Sequence, residues 1–115
     1  MADHTAWIEV DRSALAHNLR QVREWVGSAV RVLAVVKANA YGHGAVEASR
    51  AFVAAGADSL GVTRLEEAIE LREAGIAAPV LIFSAGLPAQ AGAVVAHDLI
   101  QTVCTMESAR ALSAA

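Results

Sequence analysis

The stretch "RVLAVVKANAYGHG", residues 31–44, decides how the rest of the chain is read. Its first half is short, apolar and rich in β-branched residues, which favours a strand over a helix. In a strand, Leu33, Val35, Lys37 and Asn39 share one face, while Ala34, Val36 and Ala38 share the other. Apolar residues on both faces predict a strand buried on both sides, as parallel strands of α/β proteins are. Such a strand can carry an ammonium group only if something pairs with it, neutralises it or reacts with it. Lys37, set just before Tyr41-Gly42-His43-Gly44, therefore poses a chemical question.

The same alternation of strand and helix repeats on either side. "AWIEV" (residues 6–10) alternates like a strand, and Asp11 is a good N-cap for the helical pattern after it. In "RSALAHNLRQVREWVG", Leu15, Leu19, Val22 and Val26 recur at helical spacing, and Gly27 stops the helix. After the central stretch, "AVEASRAFVAAG" reads as a helix ending at Gly56, and "SLGVT" as a short strand. Thr63 and Glu66 pair as a capping box for "TRLEEAIELREAG", whose apolar stripe is Leu65, Ala68 and Ile69 and whose stop is Gly75. "PVLIF", "PAQAGAVVAHD" and "LIQTVCT" then read as strand, helix and strand, and a last helix starts near Met106.

Strand–helix units thus begin near residues 32, 59, 80 and 99, with crossovers long enough for parallel pairing. Two α/β architectures fit. One is a small doubly wound sheet, complete at this size. The other is a (β/α)8 barrel, which needs about 200–250 residues and eight units, so that this chain holds only the first four. An ending within a helix, at "ARALSAA", favours the second.

Composition bounds the function. With 115 residues, 56% of them apolar, the chain forms one domain with a core and no internal boundary. A net charge of −3 argues against a nucleic-acid or anionic-membrane surface. The single Cys104 excludes an internal disulfide, suits a cytoplasmic protein, and is expected as a buried core thiol. No Cys/His spacing suggests a metal site. Residues 74–96 carry no charge, but Pro79, Pro88 and Gln90 punctuate them into strand, turn and helix rather than a membrane span.

Both architectures place their active sites at the C-terminal ends of the strands, where Lys37 lies. Desolvation there favours a neutral amine, which is a nucleophile able to form a Schiff base with an aldehyde. Tyr41, freed by Gly42 and Gly44, is placed to donate to a cofactor oxygen. Periodicity alone favours the blander reading, a lysine that snorkels to solvent and a "YGHG" that merely connects. His43 has no visible partner and is not taken as a ligand.

"AVVKANAYGHG" (residues 34–44) resembles the cofactor-attachment signature of the alanine racemases. "AWIEVDRSALAHNL" is similar to that family's opening strand and helix, and "AGADSLGVTRLEEAIELREAGIAAPVLI" to its second and third barrel units. The resemblance covers essentially the whole chain but only the first third or so of a family member. It implies a fold-type III pyridoxal-phosphate enzyme with an N-terminal barrel and a C-terminal β domain, working as a homodimer. It also implies interconversion of L- and D-alanine, which supplies D-alanine for peptidoglycan. By the same resemblance Lys37 holds the cofactor as an internal aldimine and then serves as base or acid on one face of Cα. Tyr41 helps hold the phosphate, and Phe83 matches a variable hydrophobic position near the cofactor. The base for the other face is a tyrosine of the C-terminal domain, so residues 1–115 alone are expected to be inactive or nearly so. A non-catalytic pyridoxal-phosphate carrier and a truncated piece without function are the alternatives, and serine is an alternative substrate.

Overall fold

The computed structural model describes residues 3–115. Asp11 starts the first helix as its sequence predicts: Oδ1 accepts from the backbone N–H groups of Ser13 (2.8 Å) and Ala14 (3.2 Å). That helix, α1 (Arg12–Val26), ends where Gly27 takes a φ of +79°. Leu19 is its one buried residue; Val22 and Val26, expected on the same stripe, remain more than a third exposed.

Four strands come next, β1 (Leu33–Val35), β2 (Ser59–Val62), β3 (Val80–Ile82) and β4 (Ile100–Gln101). They alternate with α2 (Lys37–Tyr41), α3 (Ala45–Ala54), α4 (Leu65–Glu73), α5 (Ala91–Ala96) and α6 (Met106–Ala114). A 3-10 turn, Pro88–Gln90, leads into α5. All pairings are parallel, and the strands lie in chain order, β1-β2-β3-β4. A doubly wound sheet reverses its strand order at a switch point, and this one does not. An uninterrupted sequential order is that of a barrel wall.

The two faces of the sheet differ in the way a wall requires. Ala34, Val36, Leu60, Val62, Val80 and Ile82 point to the helices and are buried. The register Val35–Gly61–Leu81–Ile100 marks the opposite face, on which Val35 is 37% and Ile100 50% exposed. The expectation that β1 is buried on both sides is therefore corrected. Helices cover one face only, and the apolar residues on the other line the concave side of the wall.

Two further expectations fail for related reasons. Residues 6–10 form no strand, and Trp7 and Ile8 are largely exposed, because alternation yields a strand only where a neighbour offers its ladder. Cys104 is exposed rather than buried. β4 is only two residues long, so Cys104 lies beyond it in the approach to α6.

The N-terminal ends of the strands are tied together by two arginines. Arg23 donates to Asp58 Oδ2 at 2.6 Å, and the same oxygen accepts from Val32 N at 2.6 Å, joining α1 to the starts of β1 and β2. Arg72 reaches from α4 to four carbonyls: Ile76 and Ala78 at 2.7 Å, Asp98 at 2.8 Å and His97 at 2.9 Å. These bonds fix the entries to β3 and β4.

Candidate active site

Lys37 follows β1 with only Val36 between them. The ladder continues through one more bond, Val36 N to Gly61 O at 2.9 Å, and then the chain turns. Lys37 is thus the first residue of the turn rather than the last of the strand, and it is half-buried. Ala38, Asn39, Ala40 and Tyr41 have φ of +50°, +55°, +52° and +53°, so α2 is a left-handed turn. Such a conformation costs an L-residue roughly 1 kcal/mol or more, with asparagine the best tolerated of the four. Gly42 (φ +90°) and Gly44 (φ +87°) extend the positive-φ run without that cost. Backbone strain of this kind persists only where the surroundings over-determine it, and it gathers at functional sites.

The surroundings here are a set of directed hydrogen bonds. Ala40 N donates to Val36 O at 3.0 Å, and Asn39 O accepts from Gly42 N (3.1 Å) and Gly44 N (3.0 Å). Asn39 Oδ1 accepts from Ala45 N at 2.8 Å and so satisfies an open donor at the start of α3. His43, without a visible partner in the sequence, has one in the fold: Nδ1 donates to Ala40 O at 2.9 Å. A carbonyl can only accept, so that contact places a hydrogen on Nδ1.

The remaining support comes from another βα unit. Glu67 Oε2 accepts from Thr63 N (2.8 Å) and Arg64 N (2.9 Å), and Oε1 accepts from Ala38 N (2.8 Å). Burial acts to raise its pKa, but the three N–H donors and the charge of Arg64 outweigh it and hold the carboxyl below its ordinary range. This corrects the capping pair expected from the sequence. Thr63 O accepts from Ser84 N at 3.2 Å, which keeps Thr63 in line with β2. Arg64 becomes the N-cap, and Glu67, not Glu66, stands three residues on. The signal was the doubled glutamate of "RLEEA", which periodicity alone does not resolve.

Lys37 and Tyr41 open and close the same five-residue turn, with Tyr41 62% exposed. Among the described residues the ion pairs are Arg12–Glu47, Arg23–Asp58 and Arg50–Glu47, so no carboxylate pairs with Lys37. On the concave face Phe83 lies across β2. A Cβ built on Gly61 would clash with the Phe83 ring and meet Leu33 Cδ2 at 2.7 Å, so only glycine lets the ring cross there. A separate open cleft of about 260 Å³ lies over the ends of β2, β3 and β4, lined by Arg64, Ser84, Gln90 and Gln101 among others. Neither Lys37 nor Tyr41 lines it.

Comparison with known proteins agrees with this architecture. The model of the alanine racemase N-terminal domain matches residues 10–115. An alanine racemase from Synechocystis sp. is 46% identical over 111 residues, which cover 96% of this chain and 30% of that protein. The crystal structure of alanine racemase from Bacillus anthracis with bound L-Ala-P superposes with a TM-score of 0.91 at 36% identity, over 96% of this chain and 28% of that one. A histidine racemase from Leuconostoc mesenteroides superposes with a TM-score of 0.86 at 30% identity, over 99% of this chain and 30% of that one. The chain therefore spans less than a third of the length of the relatives it matches. Its parallel sheet in sequential order corresponds to the first βα units of their barrel, and the chain belongs to the family of the alanine racemase N-terminal domain.

Proposed function

We propose that this chain forms the cofactor-attachment part of an amino-acid racemase acting on alanine, with pyridoxal phosphate held on Lys37. The observation that carries the reading is a half-buried lysine without an acidic partner among the described residues, at the C-terminal end of a barrel strand, opening a strained left-handed turn. Among the described residues no carboxylate pairs with Lys37, which supports reaction as the answer to the question it raises. An unpaired amine and an exposed phenol four residues apart suit a group bearing an aldehyde and a phosphate. When bound, pyridoxal phosphate supplies the electron sink that makes the proton on the substrate Cα removable.

Lys37 would anchor the cofactor and afterwards move that proton on one face of Cα. Tyr41 would donate its phenol hydrogen to the phosphate. Racemisation needs a base on each face, because a single base tends to return the proton where it came from. The resemblance implies that the second base is a tyrosine, and the one tyrosine among the 115 residues, Tyr41, is assigned to the phosphate, so a base from outside them would serve the other face. The names of the relatives favour alanine as substrate, and the resemblance implies a whole enzyme of which residues 1–115 are the opening part of the barrel, with a β domain after it and paired as a homodimer. The alternative of a non-catalytic carrier has no comparable support.

The test is to mix the protein with pyridoxal phosphate, reduce with borohydride and map the modified residue. Label concentrated on Lys37 is the expected result, and label spread over surface amines would overturn the reading. In the same sample, residues 1–115 alone are expected to show no appreciable alanine racemisation. Turnover by them would refute the assignment of the second base to residues outside this chain.

A further inference from the structure

We infer that Glu67 is a positioning residue for Lys37: its carboxylate spans the β2–α4 junction and the Ala38 N–H, and so sets the turn from which the lysine side chain projects. This rests on the reading of Lys37 as the cofactor anchor. Three observations carry it. The first is convergence, since three backbone N–H groups from two βα units meet on two carboxylate oxygens. The second is location, because Ala38 is the residue immediately after Lys37 and the first with positive φ. The third is strain. Four successive non-glycine residues sit in the left-handed region, and the bond to Glu67 is the one outside tie on the first of them.

The role depends on chemical type and not only on shape. A carboxylate accepts through both oxygens, whereas the amide of glutamine has one acceptor oxygen and an NH2 that only donates. Glu67→Gln therefore keeps the side-chain volume but must break either the bond to Ala38 or those to Thr63 and Arg64. An error of about 1 Å in the placement of a reacting group costs on the order of a hundredfold in rate. Arg72 provides the matched control, because it ties the opposite ends of the strands and touches nothing in the turn.

The experiment measures the rate at which pyridoxal phosphate becomes attached to Lys37, by timed borohydride reduction and peptide mapping, in the full-length protein. Wild type, Glu67→Gln and Arg72→Met are compared, each corrected for its folded fraction from a urea curve. The expected result is a rate about tenfold or more below wild type for Glu67→Gln, with Arg72→Met unchanged per folded molecule. Should Glu67→Gln fail to fold, Glu67→Asp, with both oxygens on a stem one methylene shorter, carries the same comparison. Wild-type rates in the Glu67 variant, or equal slowing in the Glu67 and Arg72 variants, would overturn the inference. Absence of label on Lys37 in the wild type would instead sink the cofactor reading, and with it the role assigned to Glu67.

Discussion

Glu67 and Asp58 are two of the residues at which protonation and folding meet. Asp58 is held below the ordinary carboxylate range first by the Val32 N–H and then by the Arg23 hydrogen bond, against a smaller opposing effect of burial. Glu67 is lowered by its three N–H donors despite burial. Both groups bind a proton less readily when folded than when unfolded, so the unfolded chain takes up protons first as pH falls. Their contribution is complete above the unfolded carboxylate pKa and is lost as pH drops through the folded values. Urea midpoints measured from neutral pH down to about pH 3 are expected to fall continuously. Glu67→Gln should flatten part of that fall, and an unchanged profile would contradict the Glu67 assignment. Lys37 itself was legible in sequence, because an isolated charge in an apolar run stands out. Glu67 was not, because its partner Ala38 lies 29 residues away and only the fold brings them together.

At the scale of elements, the sheet divides its labour between its two ends. The N-terminal ends carry the arginine ties and the C-terminal ends carry the strained turn. Arg72→Met removes four hydrogen bonds from a charged donor and leaves carbonyls of two loops without it. A loss of roughly 2–3 kcal/mol in unfolding free energy is expected by denaturant titration, since bonds to charged groups exceed the ordinary net value. A loss below about 0.5 kcal/mol would show the ties to be ornamental. Every βα unit from β1 to α6 was readable in the sequence, mostly from apolar runs and stop signals, but the strands read over residues 31–40 and 99–105 shrink to Leu33–Val35 and Ile100–Gln101. Two stretches were not. "AWIEV" has strand periodicity without a strand, and "KANAY" is a left-handed turn written in residues that seldom form one. Periodicity reports which side chains want burial. It does not report whether a neighbouring ladder exists or which turn handedness the surroundings enforce.

The whole molecule is a slab. Its extents are 49 × 43 × 21 Å and its radius of gyration is 16.0 Å. A compact domain of this length has a radius near 13 Å, so the chain is wider and flatter than a self-contained globule. One broad side is helical and the other presents Val35, Phe83 and Ile100 to solvent. Such a surface, next to the free edges of β1 and β4, favours association. Residues 1–115 by themselves are therefore expected to bind a hydrophobic dye and to sediment faster as concentration rises. A monomer at all concentrations would contradict this description of the concave side.

The sequential strand order bears on how the chain comes into being. Each strand after the first pairs with the one made just before it, so the sheet can be laid down in the order of synthesis, without waiting for distant segments. Growth proceeds in one direction, from β1 toward β4. β1 is the oldest strand and keeps one side unpaired among the described residues throughout. Lys37, which follows β1, therefore stands at the open margin of the growing sheet, where the proposed cofactor anchor is in place before any other strand is added.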